Sequence, residues 1–165
     1  MSDPAVDRDD PAVQRVEAAL REAGVEPRIR WFDQATPTAM TAAAELGVEV
    51  GAIANSLVFT LDDEPLLILT SGAHRVDTAF LGARLGGRIR RADAETVTAA
   101  TGQTIGGVAP VGHPRPLRTV VDIALKGFDE VWAAGGHPHT VFPTTFDELV
   151  RMTGGEPAAV EPSEI

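Results

Sequence analysis

The segment Gly106-Gly107-Val108-Ala109-Pro110 has the residue types of a loop that binds an acyl group through its main chain. Paired glycines let a backbone approach a ligand closely, with N–H groups free to point at it. Proline fixes the far end of the loop and donates no N–H. Such a loop can bind a carbonyl or carboxyl group, or polarise an ester as an oxyanion hole does. Glycine-proline loops are also common as plain turns, so this spacing alone does not assign a function.

Side-chain nucleophiles and metal ligands form weaker patterns in this chain. The absence of cysteine removes thiol nucleophiles and cysteine-ligated zinc from consideration. Ser71, His74 and Asp77 have the residue types of a hydrolytic triad, but triad members usually come from separate elements, so turn chemistry explains them better. His137 and His139 could supply two metal ligands, but no carboxylate follows at a matching short spacing. We therefore predict neither a bound metal nor a cofactor.

The charge of the chain is negative overall but unevenly distributed. A formal net charge of −10 argues against nonspecific binding of nucleic acid, because phosphate contacts need Lys and Arg. Residues 75–126, however, hold 8 basic and 4 acidic side chains. They can form a local patch for an anionic ligand, although a solvated surface explains them equally well. The basic residues are Arg75, Arg84, Arg88, Arg90, Arg91, Arg115, Arg118 and Lys126.

Helices and strands alternate around these residues. Helix-capping residues and terminal glycines predict five helices, at about 10–23, 36–47, 76–85, 93–102 and 145–154. Asn55 and Ser56 begin a predicted buried hairpin, 55–61 paired with 66–70 around a turn at 62–65. Further strands are predicted at about 28–32, 119–123, 130–134 and 140–142.

The apolar runs of the hairpin are nearly continuous, which indicates strands covered on both faces or lining a barrel-like interior. The chain is therefore predicted to be one mixed α/β domain over residues 10–155, with loose tails at 1–9 and 156–165. No stretch approaches the roughly 20 apolar residues of a membrane span, and the N-terminus lacks the order of a signal peptide. A cytoplasmic protein without membrane contact is expected.

Several of these segments, in this order, resemble the YbaK/prolyl-tRNA-synthetase-associated editing family. The similarity covers roughly residues 25–155, and five stretches in register carry it. It implies a compact α/β fold built on a mixed, barrel-like β-sheet with flanking helices. The stretches are Gly51–Phe59, Leu66–Asp77 with its Thr70-Ser71-Gly72 turn, Thr101–Gly112 with the glycine loop, Thr119–Asp122, and Ala133–Gly136 followed by the closing helix.

The resemblance implies hydrolysis in trans of the ester that joins a wrong amino acid to the terminal ribose of tRNA, notably tRNA charged by prolyl-tRNA synthetase. Because this ester is already activated, positioning and charge stabilisation suffice, and a neighbouring ribose hydroxyl can help activate water. Partners would be aminoacyl-tRNA and an aminoacyl-tRNA synthetase. The implied catalytic residues are Gly106, Gly107 and Asn55. The implied pocket residues are Ser56, Ser71, Gly72, Val108, Ala109, Pro110, Gly135 and Gly136. The arginines expected to meet tRNA phosphates are Arg84, Arg88, Arg90, Arg91 and Arg115.

The chain departs from the family pattern at four positions. Asn55 stands where the family usually has lysine, Phe32 near a tyrosine of some members, Ala134 where serine is frequent, and Val141 near an expected acid. Asparagine can donate a hydrogen bond but carries no charge for a phosphate. A non-catalytic module that binds an amino acid or a tRNA end on the same fold is therefore the second hypothesis. An unrelated small-molecule enzyme or structural domain is the third.

Overall fold

The structure is a computed structural model that describes residues 10–36 and 38–162, and within them five α-helices flank one eight-stranded mixed sheet. The helices are α1 Pro11–Glu22, α2 Ala39–Leu46, α3 Thr78–Leu85, α4 Ala94–Thr101 and α5 Phe146–Thr153. The strands are β1 Arg30–Trp31, β2 Ile53–Leu61, β3 Glu64–Ser71, β4 Ile89–Arg91, β5 Arg118–Asp122, β6 Val131–Ala134, β7 Thr140–Thr144 and β8 Glu156–Ala158. Short 3-10 turns occupy Val50–Ala52 and Ile123–Gly127.

The helices begin at side chains that satisfy the first free N–H groups of each helix. Asp10 accepts from the N–H of Ala12 at 2.8 Å, and Asp93 and Thr145 cap α4 and α5 in the same way. These three starts agree with the predicted ones. Helix α2 instead has Thr38 as its cap and begins at Ala39, two residues after the predicted start. The predicted Pro37 start lies outside the described residues.

The β2–β3 hairpin is the centre of the sheet. It pairs Ala54 with Ser71 at one end and Leu61 with Glu64 at the other. The turn is therefore two residues long, shorter than expected, with Asp62 at φ 49° and Asp63 at φ 71°. Two positive φ values in succession match the twist of the flanking strands, which favours this turn in hairpins.

Strand β3 contributes to two hydrophobic cores, which explains its continuous apolar sequence. Leu67 and Leu69 face a cluster that includes residues of α1, α4 and α5. Leu66 and Ile68 face the other side of the sheet, where α3 packs. All four leucine and isoleucine side chains are fully buried, and each such burial contributes about 1.5–3 kcal/mol. The prediction of strands covered on both faces is confirmed.

The sheet is open, so the predicted α/β class with a mixed sheet is confirmed but the barrel-like closure is not. The strand order is β1-β7-β6-β2-β3-β5-β8, with β4 pairing to β2. The end strands β1 and β8 are two and three residues long, and no ladder between described residues joins them. Strands this short at the two ends offer too few main-chain groups to close the sheet.

The C-terminal segment, expected to be loose from residue 156, instead extends the sheet. Strand β8 runs parallel to β5, with Val120 opposite Glu156 and Asp122 opposite Ala158. Val160 is fully buried in the cluster under α3. The folded unit therefore continues past residue 155. Residues 1–9 and 163–165 lie outside the described residues.

Candidate functional site

A cavity of about 470 Å³ occupies a gap in the sheet, along one edge of β2. On this edge β6 pairs with Ile53 and Ala54, and β4 pairs with Phe59–Leu61. Within the described chain, no strand pairs with residues 55–58 on the same edge. The cavity therefore lies where the hydrogen-bonded ladder of the sheet is interrupted.

The main chain of β2 alternates between its two edges, as in any antiparallel strand. The Ile53 carbonyl accepts from the Gly72 N–H at 2.8 Å on the β3 side, whereas the Asp62 N–H donates to the Arg88 carbonyl at 3.0 Å on the β4 side. Odd-numbered residues of β2 therefore direct their N–H and C=O groups to β3. Even-numbered residues, Ser56 among them, direct theirs to the interrupted edge.

Ser56 does not present its hydroxyl group to the cavity. The Ser56 Oγ atom is buried and has no hydrogen-bond partner among the described residues. The residue as a whole is nevertheless partly exposed and lines the cavity. Its accessible atoms therefore belong to the main chain and Cβ. Accessible main-chain groups at an open strand edge can bind the polar groups of a ligand.

Gly106 and Val108 of the glycine loop form part of the cavity wall. Gly106 has a φ of 92°, which favours glycine. The Gly107 N–H already donates to the Thr104 carbonyl at 3.0 Å, and a Cβ on Gly107 would overlap the main chain of His137 and Pro138. Gly107 is therefore required for close packing between two loops and does not line the cavity.

Two buried polar side chains fix the position of the glycine loop, and sequence reasoning did not assign them this role. The Gln103 amide accepts from the Ala109 N–H at 2.6 Å and donates to the Val111 carbonyl at 3.2 Å. The His113 ring donates through Nε2 to the Ala109 carbonyl at 2.8 Å. Burial lowers the pKa of His113 below its ordinary value, which keeps the ring neutral near pH 7. Ala109 was expected to bind substrate, and its N–H is thus occupied.

The remaining cavity wall is mostly apolar, with one cation at its edge. Arg91, at the end of β4, is exposed. Among the described residues that line the cavity, it is the one charged residue. Asn55 is partly buried in the wall and supplies a neutral amide. This combination of apolar side chains, main-chain groups and a peripheral cation can bind a ligand that has an apolar part and an anionic group. The small apolar lining residues include Ala42, Ala54, Val58, Val97 and Ala133.

Comparison with known families identifies the fold. A model of the aminoacyl-tRNA editing domain matches residues 33–152, which include most of the sheet and the whole cavity. The chain belongs to the aminoacyl-tRNA editing domain family. The family and fold implied by the sequence are thus confirmed.

Relatives of this editing domain include free-standing proteins and segments of larger enzymes. YwhH of Bacillus subtilis, which is uncharacterised, is 31% identical over 123 residues, or 74% of this chain and 78% of YwhH. A proline–tRNA ligase of Nitratidesulfovibrio vulgaris is 34% identical over 106 residues, or 62% of this chain but 18% of the ligase. The chain thus spans under a fifth of that ligase.

Solved structures share the fold over nearly the whole editing domain. A crystal structure of a candidate trans-editing enzyme for prolyl tRNA synthetase has a TM-score of 0.87 and 40% identity, covering 93% of this chain and 99% of that one. The hypothetical protein APE2540 has a TM-score of 0.82 and 29% identity, covering 88% and 98%.

Several residues expected to line the pocket of the editing domain lie elsewhere in the structure. The Ser71 hydroxyl donates to the Gly51 carbonyl at 2.8 Å, and a Cβ on Gly72 would overlap the Val50 carbonyl oxygen. Gly135 and Gly136 are buried, and Gly135 packs against Thr140. Pro110 lines a second groove on α1 and the end of α5. These residues shape the loops around the cavity and do not line its wall.

The residue types of a hydrolytic triad do not meet in the editing domain. His74 bonds through Nδ1 to buried Asp122 at 3.1 Å, while Ser71 donates its main-chain N–H to the same carboxylate at 3.0 Å. Asp77 caps α3 by accepting from the Phe80 N–H. Asp122 therefore organises the turn after β3, a structural role that sequence reasoning missed.

The predicted phosphate-binding arginines fall into two groups. Arg84 lies on α3, and Arg88, Arg90 and Arg91 lie on or beside β4, which packs against α3. Arg115 instead lines the second groove. The first group adjoins the cavity through Arg91, so the basic stretch does not form one continuous patch.

The histidines of the 137–139 turn are engaged in that turn. The His137 ring accepts from the His139 N–H at 3.0 Å, and His139 donates through Nδ1 to the Phe32 carbonyl at 2.9 Å. Among the residues that the structure describes, no group of three or more His, Cys, Asp or Glu could hold a metal ion. No helix in the same residues is long and apolar enough to cross a membrane.

Proposed function

We propose that this protein hydrolyses, in trans, the ester between a wrong amino acid and the terminal ribose of a tRNA, with tRNA for proline as its substrate. One observation carries the proposal: the editing-domain cavity lies in a gap of the sheet and is lined both by β2 at its interrupted edge and by Gly106 and Val108. The likeness to a candidate trans-editing enzyme for prolyl tRNA synthetase supports action as a separate protein.

The chemistry needs no nucleophilic side chain. Water adds to the acyl carbon of the ester, the bond from that carbon to the ribose oxygen breaks, and the ribose oxygen leaves with a proton. A neighbouring ribose hydroxyl helps to orient and activate the water. The protein positions the ester and stabilises the oxyanion that develops on the acyl oxygen, which is the larger part of such catalysis. This division of labour fits a cavity whose polar groups are mainly main-chain atoms.

Arg91 is the residue of this site best placed to contact a phosphate of the tRNA end. It is exposed at the cavity edge and forms no ion pair with another described residue, in contrast to Arg118, which pairs with Glu156 at 3.0 Å. We expect Arg91→Gln to raise KM for aminoacyl-tRNA several-fold with little change in kcat, because the lost contact is to a distant phosphate. Arg118→Gln is the matched control and should leave both constants unchanged.

The decisive experiment is release of free amino acid from a panel of tRNAs charged with different amino acids. Faster hydrolysis of at least one mischarged tRNA for proline than of prolyl-tRNA supports the proposal. Asn55, a neutral residue in the cavity wall, favours the second candidate, a module that binds without turnover. No acceleration on any charged tRNA, together with measurable binding of a nonhydrolysable aminoacyl-adenosine, would select that module.

A further inference from the structure

We propose that the amino acid of the substrate binds as the missing rung of the sheet, by pairing its own main chain with Ser56. The acyl carbonyl oxygen accepts from the Ser56 N–H, and the α-amino group donates to the Ser56 carbonyl. This inference rests on the proposed function and specifies how its site recognises an aminoacyl ester.

Ser56 is the residue of β2 at which the interrupted edge is open. Three even-numbered residues direct main-chain groups to this edge near the cavity. Ala54 is paired with Ala133 of β6, and Val58 adjoins Phe59, whose pairing with Arg91 is the last rung of the β4 ladder. Ser56 lies between these two ladders, with no strand opposite it among the described residues. Its exposed surface belongs to the main chain and Cβ, because its hydroxyl is buried.

The geometry of an antiparallel ladder matches the polar groups of an aminoacyl ester. In the hydrogen-bonded pairs of such a ladder, two residues exchange both of their N–H···O bonds. An aminoacyl ester carries one nitrogen donor and one carbonyl acceptor on a single Cα, so it can make both bonds with one residue. The open edge at Ser56 offers this arrangement once.

The same pairing puts the scissile ester next to a main-chain N–H. The N–H groups of Gly107 and Ala109 in the glycine loop are occupied, whereas the Ser56 N–H lies on the interrupted edge of β2, which borders the cavity. A donor held rigidly by a strand costs no reorganisation when negative charge develops on the acyl oxygen. Ser56 therefore acts on the reaction through its main chain, whatever its side chain.

Residues paired across a ladder project their side chains on the same face of the sheet. The side chain of the substrate would therefore lie on the face of Ser56, where Ala54 belongs to the core, Val58 packs against that core, and Val97 and Val108 form the neighbouring wall. These residues are small and apolar, so this face favours a small, apolar substrate side chain. One binding mode therefore accounts both for selection of the substrate side chain on this face of the sheet and for recognition of the substrate main chain at the edge of β2.

The test replaces Ser56 by its α-hydroxy acid analogue, introduced by nonsense suppression, so that an ester linkage replaces the amide N–H. We expect kcat on the best mischarged tRNA to fall by about 10²–10³, the usual cost of one oxyanion donor. The same replacement at Thr60, which lies on the same edge of β2 opposite Arg90 and does not line the cavity, is the control and should change kcat less than about threefold. Ser56→Ala keeps the N–H and should lose much less activity than the ester at residue 56. Circular dichroism and urea unfolding of each variant would verify that it is folded.

Binding separates this inference from the proposed function. Isothermal titration with a 3′-aminoacylamino-3′-deoxyadenosine, which cannot be hydrolysed, would be run on the same proteins. Suppose that the wild-type protein hydrolyses no charged tRNA, and that only the ester at residue 56 weakens binding of this analogue. The pairing then stands and the deacylase proposal fails. If the protein with the ester at residue 56 binds and turns over substrate as the wild type does, or if the esters at residues 56 and 60 cause equal losses, the pairing is overturned.

Discussion

Gln103 connects the stability of the protein to the position of its glycine loop. Its buried amide satisfies the Ala109 N–H and the Val111 carbonyl, both buried in the loop after α4. Gln103→Leu keeps the volume of the side chain but leaves both main-chain groups unpaired. Each buried unpaired group costs about 1–3 kcal/mol, so the free energy of unfolding should fall by about 2–6 kcal/mol. That loss is a large fraction of the roughly 5–15 kcal/mol that stabilises a typical domain.

Urea unfolding followed by fluorescence measures this loss directly, and release of amino acid from mischarged tRNA measures the effect on the loop. We expect kcat of Gln103→Leu to fall at least tenfold, because Val108 and Gly106 lose their support. Thr104→Ala, an exposed neighbour, is the control. An unfolding free energy of Gln103→Leu within about 0.5 kcal/mol of wild type would refute the assigned role of the amide.

Two further predictions concern the same loop. Gly107→Ala should lower the free energy of unfolding by about 1–3 kcal/mol, measured by urea titration, because its Cβ would overlap the main chain of His137 and Pro138; an unchanged midpoint would contradict the packing. Burial lowers the pKa of His113, so the unfolded chain binds the proton first, and stability should be complete above pH 6.5 and fall below it. His113→Gln, which can still donate to the Ala109 carbonyl, should lose less stability than wild type between pH 7.5 and 5.5; an equal loss would assign the acid sensitivity to other groups.

The elements predicted well are those fixed by neighbours in sequence. Asp10, Asp93 and Thr145 each cap the helix that follows them, and a cap acts within three residues. Strands β4 and β8 were not predicted, because each has three residues and exists only through a distant partner strand. The open sheet was missed for the same reason, since closure depends on the two end strands.

The sequence located the site better than it identified the residues that line the cavity wall. Asn55, Ser56, Gly106 and Val108 meet at one cavity, and the resemblance had grouped them. Sequence does not show on which side of a turn a glycine lies, so the packing role of Gly107 was not visible. The interruption of the ladder beside β2 depends on where β6 and β4 end, which no local pattern encodes.

Strand β8 has a practical consequence for any shortened form of this protein. A chain cut after Gly155, at the boundary that composition suggests, would uncover the outer main-chain groups of β5 and the cluster that holds Val160. Bare strand edges pair readily with other molecules. Such a truncation would therefore promote self-association through β5, although the removed residues are far from the cavity and carry little hydrophobic sequence.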